Sequence, residues 1–297
     1  MATVRKPVDA LAVSMMIVLC MCWGYNQVTI KYAAAGISPI MQAGLRSIIA
    51  SSLLLIWAQL RGIRLFGRDG TLAGGAVAGA LFAAEFVFIY VGLAYTAASR
   101  MAVFLYLAPC FTALGLQWLV PGERLNLSQW AGVLLAFLGV ALAFADGFST
   151  AAGSTLIGDA FGVIAAALWA ATTVVIRSTK LGAASATKTL FYQLGISALV
   201  LPFASILAGE PGIMTLTPKV VASLAYQSVI VAFASYLAWF WLLTRYLAGR
   251  LAVFSFLTPL FGVAFGVIFL SEPLSASFLS AALMVGAGIV LVNRTTK

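Results

Sequence analysis

One carboxylate stands in the middle of an apolar stretch: Glu85, within the sequence FAAEFVF. A charge at the centre of a membrane-spanning helix costs roughly 2.5 to 3.5 kcal/mol on insertion scales, so such a group faces a cavity, forms a pair or takes up a proton. Two interpretations stay open. Glu85 is either a proton-sensitive group or a ligand for a substrate ammonium, or it is structural, as an ion pair with Arg46 or as a protonated acid between helices.

Helical spacing groups aromatic and polar residues around a common depth. In an α-helix, residues three and four apart share a face. The sets that share a face are Phe82 with Glu85 and Ile89, Trp23 with Asn26 and Gln27, Trp169 with Thr172 and Thr173, and Ser235 with Trp239. They predict a mostly apolar, aromatic cavity with a few hydrogen-bonding groups, which suits a small zwitterion with a bulky side chain. Helix packing or interfacial anchoring would also explain individual aromatic residues.

The composition places these residues in a membrane. Of the 297 residues, 63% are hydrophobic and 8% are charged, which is incompatible with a soluble domain of this length. Apolar runs near the length of about 17 to 25 residues that crosses a bilayer recur along the whole chain. We predict ten spans, with approximate cores at 10–31, 39–60, 71–95, 101–120, 127–146, 157–177, 188–208, 219–243, 251–270 and 276–292.

The basic residues indicate the orientation. Most of the 17 Lys and Arg residues fall in alternate connecting segments, and cytoplasmic loops are the ones that retain positive charge. We therefore predict that both termini are cytoplasmic. The net charge of +9 is explained by this topology. No cluster of basic residues is interleaved with aromatic ones, so we expect no nucleic-acid partner.

The chain contains an internal repeat. The stretch SRMAVFLYLAPCF at 99–111 returns as GRLAVFSFLTPLF at 249–261, and Glu123 aligns with Glu272. Each half holds five predicted spans, and an odd number makes the second half enter the membrane from the opposite side. We predict inverted repeats at 1–147 and 148–297. Such repeats favour alternating access, although a duplication kept for packing, or a channel, would also contain them.

Two prolines occupy matching positions in the repeat. Pro109 and Pro259 lie within the fourth and ninth predicted spans. Each removes an intrahelical hydrogen bond and favours a kink. They are candidate hinges, and a static bend is the alternative interpretation.

Together, the ten spans in two five-span units, the WG and WA pair in spans one and six, and the SR/GR-x-A-V-F…P…GE/SEP segments resemble the drug/metabolite transporter superfamily, EamA type. The resemblance covers essentially the whole chain, and is nearest to bacterial exporters of aromatic and other neutral amino acids. It implies a multi-pass protein of the bacterial inner membrane that exports such amino acids and related metabolites by alternating access. It also implies a central cavity bordered by spans one, three, four, six, eight and nine. A multidrug or metabolite efflux carrier of the same fold is the alternative, and a channel is a more remote one.

Missing residue types exclude several other classes. The sequence has no His, which removes His-dependent zinc and Ser-His intramembrane proteases, and it has no Walker motif. The three Cys residues all fall within predicted spans, so neither a metal set nor a disulfide framework is supported. We predict a protein that is not an enzyme and that uses no metal and no cofactor. The expected partners are a small-molecule substrate and the lipid bilayer, and a monomer is compatible with the sequence.

Overall fold

The fold is a bundle of helices. The computed structural model describes residues 6–67, 69–120, 122–145, 155–271 and 276–294, with Ser99 described by its backbone alone. The α-helices in this part of the chain are α1 (Ala10–Ala34), α2 (Pro39–Leu60), α3 (Leu72–Gly92), α4 (Ala98–Leu105), α5 (Ala108–Leu119), α6 (Leu127–Ala143), α7 (Thr155–Ser178), α8 (Ala186–Leu207), α9 (Pro218–Ala225), α10 (Tyr236–Arg245), α11 (Ala248–Ala252), α12 (Leu257–Leu270) and α13 (Phe278–Asn293). Short 3₁₀ turns cover Lys180–Ala183 and Val253–Phe256, and a π-helical segment covers Tyr226–Ser235.

Length and composition explain which helices cross a membrane. Eight helical segments of the described chain are long and apolar enough: α1, α2, α3, α7, α8, Arg100–Leu119, Pro218–Arg245 and Ala248–Leu270. The helices α6 and α13 are also apolar but have 17 and 16 residues. At 1.5 Å per residue, 17 residues cover roughly 25 Å, somewhat less than a hydrocarbon core of about 30 Å. The all-helical membrane architecture is confirmed, and the count of ten spans stays a prediction.

Side-chain caps fix where several helices begin. Asn126 and Gln129 form a reciprocal capping box at the start of α6. Asp9 accepts a hydrogen bond of 2.9 Å from the amide of Ala12 at the start of α1. That amide, together with the hydroxyl of Tyr246, lowers the pKa of Asp9. The Asp9 carboxylate therefore caps α1 and also accepts a hydrogen bond from Tyr246, which follows α10.

The closest helix pairs all join the two halves of the sequence. The helix α6 packs against α13, α2 against α8, α3 against α7 and α8, α5 against α7, and α1 against α12. Glycine permits the closest of these approaches: a Cβ on Gly132 would lie 2.7 Å from the carbonyl oxygen of Gly288, and one on Gly288 would lie 2.5 Å from that of Gly132. The two predicted repeat units are therefore interleaved and share one core.

Both candidate hinge prolines follow an interruption of the helix. The break between α4 and α5 precedes Pro109, and the 3₁₀ turn between α11 and α12 precedes Pro259. A proline in the first turn of a helix loses no intrahelical hydrogen bond, because the amides there have no partner within the helix. The expected kinks are thus breaks between helices. Their use as hinges stays a prediction.

Candidate functional site

A cavity of about 560 Å³ lies among α1, α3, α4, α5, α7, α10 and α12. This volume is within the range of about 300 to 1,000 Å³ that is typical of small-molecule sites. Every predicted site residue except Ser235 lines it: Trp23, Asn26, Gln27, Phe82, Glu85, Ile89, Pro109, Trp169, Thr173, Trp239 and Pro259. The structure thus brings together residues from both halves of the sequence, and their contact with a substrate stays a prediction.

One side of the cavity is a connected aromatic wall. The ring of Trp23 meets Trp239 edge to face, with centroids 5.9 Å apart, and Tyr236 at 6.3 Å. Tyr236 continues to Phe82 at 6.2 Å, and Phe82 to Phe86 at 5.1 Å. Edge-to-face pairs at these distances are favourable beyond the area they bury. The wall is therefore a fixed apolar surface that joins α1, α3 and α10.

Ser235 lies behind this wall and not on it. Its hydroxyl accepts a 2.8 Å hydrogen bond from the indole nitrogen of Trp23 and donates one of 2.6 Å to the carbonyl of Val231. Ser235 is the last residue of the π-helical segment, where hydrogen bonds run from i to i+5 and the ordinary helical spacing does not hold. From Ser235 the chain continues as the α-helix α10, so Ser235 and Trp239 lie one turn apart and both contact Trp23, as a shared face predicts. The hydroxyl of Ser235 orients the indole of Trp23, and the ring of Trp239 lines the cavity.

A basic and an acidic side chain are buried in the cavity wall. Arg46 is 2% exposed and Glu85 is 6% exposed, and both line the cavity. The guanidinium of Arg46 lies 4.7 Å from the ring centroid of Phe86. Among the described residues, Nε and Nη2 of Arg46 and Oε2 of Glu85 have no hydrogen-bond partner, and no ion pair joins the two side chains. The structural ion pair with Arg46, one of the interpretations of Glu85, is therefore not formed.

Several lining residues were missed by the sequence analysis. Phe86 and Tyr90 follow Phe82 at intervals of four residues and line the cavity with it, so the helical spacing was a usable signal for them. Tyr236 lies three residues before Trp239 and offered the same signal. Gln193, from α8, also lines the cavity, and Thr189 and Ser197, four residues to either side of it, were a usable signal for a polar face.

The cavity has a mouth at one end of the bundle. The lining residues Lys31, Leu93 and Ala98 are all exposed. Lys31 lies in the last turn of α1, Leu93 follows the end of α3, and Ala98 begins α4. Three helix ends therefore surround an opening on this side.

A buried polar network joins the helix ends at the opposite end. Arg177, at the end of α7, forms an ion pair with Glu123, which follows α5, and donates a 2.9 Å hydrogen bond to the carbonyl of Leu243. The Glu123 carboxylate also accepts hydrogen bonds from the amides of Ala248 at 3.3 Å and Gly249 at 3.2 Å. Both charged side chains are buried. The network thus connects α5, α7, α10 and α11 beyond the floor of the cavity.

Two acidic loop residues make reciprocal contacts between the halves. Asp69, after α2, accepts a 2.5 Å hydrogen bond from Lys188 in α8, and that bond, together with Thr71, holds the pKa of Asp69 below its usual range. Glu210, after α8, accepts hydrogen bonds from the amides of Ile40 and Met41 in α2, at 3.0 and 3.1 Å. The loop after α2 therefore contacts the beginning of α8, and the loop after α8 contacts the beginning of α2.

Comparison with known proteins indicates the kind of protein that has this cavity. Residues 10–145 and 156–294 each match the EamA-like transporter family. An uncharacterized transporter of Archaeoglobus fulgidus is 30% identical over 269 residues, which is 88% of each chain. A probable amino-acid metabolite efflux pump of Salmonella typhimurium is 26% identical over 281 residues, which is 91% of this chain and 90% of the relative. A crystal structure with 18% identity superimposes with a TM-score of 0.80 over 96% of both chains, which is a likeness of fold.

Proposed function

The chain belongs to the EamA-like transporter family, and from that premise we propose that it exports small neutral or aromatic amino acids and related metabolites by alternating access. The membrane in this proposal is a bacterial inner membrane. The relatives described as probable amino-acid metabolite efflux pumps support the substrate class. The observation that carries the proposal is the aromatic cavity, which has a mouth at one end and a buried ion pair beyond its other end.

Alternating access requires two halves that can exchange arrangements. The helix contacts support an inverted repeat of ten spans, with units at 1–147 and 148–297. If the two units are equivalent, replacing each span by its counterpart five spans away should turn one observed helix contact into another. The α1–α12 contact, between spans one and nine, becomes the α7–α5 contact, between spans six and four. The α3–α7 contact, between spans three and six, becomes the contact of span eight, which contains α9 and the π-helical segment, with α1. The reciprocal contacts of Asp69 and Glu210 follow the same rule. Glu272, the counterpart of Glu123, lies outside the described residues.

The conformation corresponds to an outward-open state if both termini are cytoplasmic, as the distribution of Lys and Arg predicts. In that orientation the mouth at Lys31, Leu93 and Ala98 faces the periplasm. The network of Glu123 and Arg177 then lies on the cytoplasmic side, between the cavity and the cytoplasm. To take up substrate from the cytoplasm, the carrier would have to open this network and close the mouth. Release to the periplasm would return it to the present conformation.

The composition of the cavity wall favours a substrate that has a bulky side chain and little net charge. Aromatic rings form a large share of its surface, and buried charge is restricted to Arg46 and Glu85 among the described residues that line its interior. Phosphorylated cargo would need several cationic groups to balance its charge. A neutral zwitterion needs one group of each sign, which is what this wall provides.

The test is counterflow in proteoliposomes that contain the purified full-length protein. Vesicles are preloaded with unlabelled phenylalanine, tryptophan, threonine or methionine, and entry of labelled substrate is followed. We expect saturable exchange that Trp23→Ala and Trp239→Ala both impair. The matched control is Trp118→Ala, because Trp118 is 77% exposed and does not line the cavity.

Three other results would contradict the proposal in different ways. Exchange of lipophilic cations without amino acids would favour the multidrug carrier. Flux that rises linearly with concentration and shows no counterflow would favour a channel. Equal impairment by the Trp118 and Trp23 variants would remove the aromatic wall from the binding site.

A further inference from the structure

Arg46 is held as if for an anionic ligand. Its guanidinium carbon lies over the ring of Phe86, 4.7 Å from the ring centroid, in a cation–π contact that holds the group against the cavity wall. The nitrogens Nε and Nη2 form one edge of a guanidinium, and both are buried without a hydrogen-bond partner among the described residues. Two parallel N–H groups on one edge match the two oxygens of a carboxylate. This unsatisfied edge therefore has the donor geometry of a bidentate carboxylate site.

Glu85 provides the opposite charge on the same part of the wall. It directly precedes Phe86 in α3, so the acid and the ring beneath Arg46 belong to one helical turn. Its Oε2 is buried without a partner among the described residues. A buried cation without a counter-ion is costly, and so is a buried carboxyl oxygen without a hydrogen-bond partner. A ligand that contacts both would remove the cost for both.

We propose that Arg46 binds the carboxylate of the transported amino acid and that Glu85 binds its ammonium group. This assignment rests on the proposed function and narrows it: the protein recognises the zwitterionic main-chain end of its substrate. The side chain of the substrate then lies against the aromatic wall of Phe82, Tyr236 and Trp239. The charged contacts then recognise the groups that all amino acids share, and selection among side chains is left to the aromatic wall.

Four probes with one phenyl ring separate the two charged contacts. L-phenylalanine has both charges, L-phenylalaninamide lacks the carboxylate, 3-phenylpropionate lacks the ammonium, and 2-phenylethylamine has the ammonium alone. Each is measured as a competitor of labelled phenylalanine exchange and, independently, by the shift in melting temperature of the purified protein. Loss of a charge-assisted contact should weaken binding roughly 10- to 100-fold. We expect the wild type to bind phenylalanine more tightly than any of the other three by that factor.

The variants should alter specificity and not only affinity. Arg46→Gln should bind phenylalanine and phenylalaninamide equally well, and should bind 2-phenylethylamine at least as well as the wild type because a buried positive charge is gone. Glu85→Gln should instead make phenylalanine and 3-phenylpropionate equivalent. Arg46→Lys keeps the charge without the planar edge, so we expect intermediate discrimination. If Arg46→Gln does not fold, the wild type and Arg46→Lys still decide the question.

The outcomes separate this inference from the proposed function. Equal binding of phenylalanine and its amide by the wild type, or uniform weakening of all probes in Arg46→Gln, would overturn the carboxylate assignment even where amino acids are exchanged. If the wild type exchanges no amino acid but binds 3-phenylpropionate through Arg46, the carboxylate site is upheld and the proposed function is wrong. If it binds only 2-phenylethylamine, both are wrong.

Discussion

The buried pair of Glu123 and Arg177 offers the sharpest test of how the cavity is closed. Removing one partner of a buried ion pair costs about 3 to 5 kcal/mol, because the other charge is left buried without compensation. In Glu123→Gln this cost falls on the closed arrangement, since an opened network would hydrate Arg177. At about 1.4 kcal/mol per factor of ten, the lower estimate shifts the equilibrium roughly 100-fold toward opening at this end.

Opening is measured as the rate of thiol labelling at Leu243→Cys. Leu243 is buried beside Arg177 and outside the main cavity, so a reagent reaches it only when the network opens. The background is a variant in which the native Cys20, Cys22 and Cys110 are replaced by alanine. In inside-out vesicles we expect Glu123→Gln to accelerate labelling by up to the calculated factor. Asp69→Asn, which breaks a more exposed ion pair, is the matched control and should leave the rate nearly unchanged.

A double variant separates the charge from the contact. Glu123→Gln combined with Arg177→Gln leaves no unpaired ion, so its labelling rate should return toward that of the background protein. Unchanged labelling in Glu123→Gln, accompanied by a fall in melting temperature, would refute the reasoning. The pair would then stabilise the fold equally in both arrangements.

Three further predictions test separate features. Asp69 has a lowered pKa, so the stabilisation it gives is present above its ordinary pKa of about 3.9 and is lost as the pH falls through the lowered value. Asp69→Asn should therefore lower the melting temperature of the purified protein at pH 7. A difference in melting temperature that persists unchanged at the lowest accessible pH would contradict this. For the topology, Met214→Cys should react with an impermeant thiol reagent on intact cells and Arg64→Cys should not, since both positions are exposed and lie on opposite predicted sides; the reverse pattern would invert the orientation. Ser235→Ala should weaken substrate exchange roughly fivefold by freeing the indole of Trp23, in line with the loss of one hydrogen bond. In a Trp23→Phe background, Ser235→Ala should cause no further loss of exchange. Additive losses would show that Ser235 acts independently of that indole.

The sequence by itself determined that the chain lies in a membrane, its helical class, its family and eleven of the residues that line the cavity. Apolar length is a local property, so helices such as α1 and α8 end close to the predicted bounds. Polar groups within spans are expensive, and that cost limited the candidates to a small set that included Glu85, Asn26 and Thr173. The repeat gave Pro109 and Pro259 matching positions in the two halves before any contact was known.

Only the tertiary structure decided which groups meet. Trp23 and Ser235 belong to different halves of the sequence, and their hydrogen bond forms only because α1 packs against the π-helical segment. Arg46 and Glu85 could have formed a pair, but both line the cavity and no ion pair joins them among the described residues. Glu123 and Arg177 belong to different halves of the sequence and meet only because the halves interleave. The local sequence pattern determines the length of a helix and the residue types on each of its faces. The rotation and tilt of the helix instead follow from packing against residues distant in the chain.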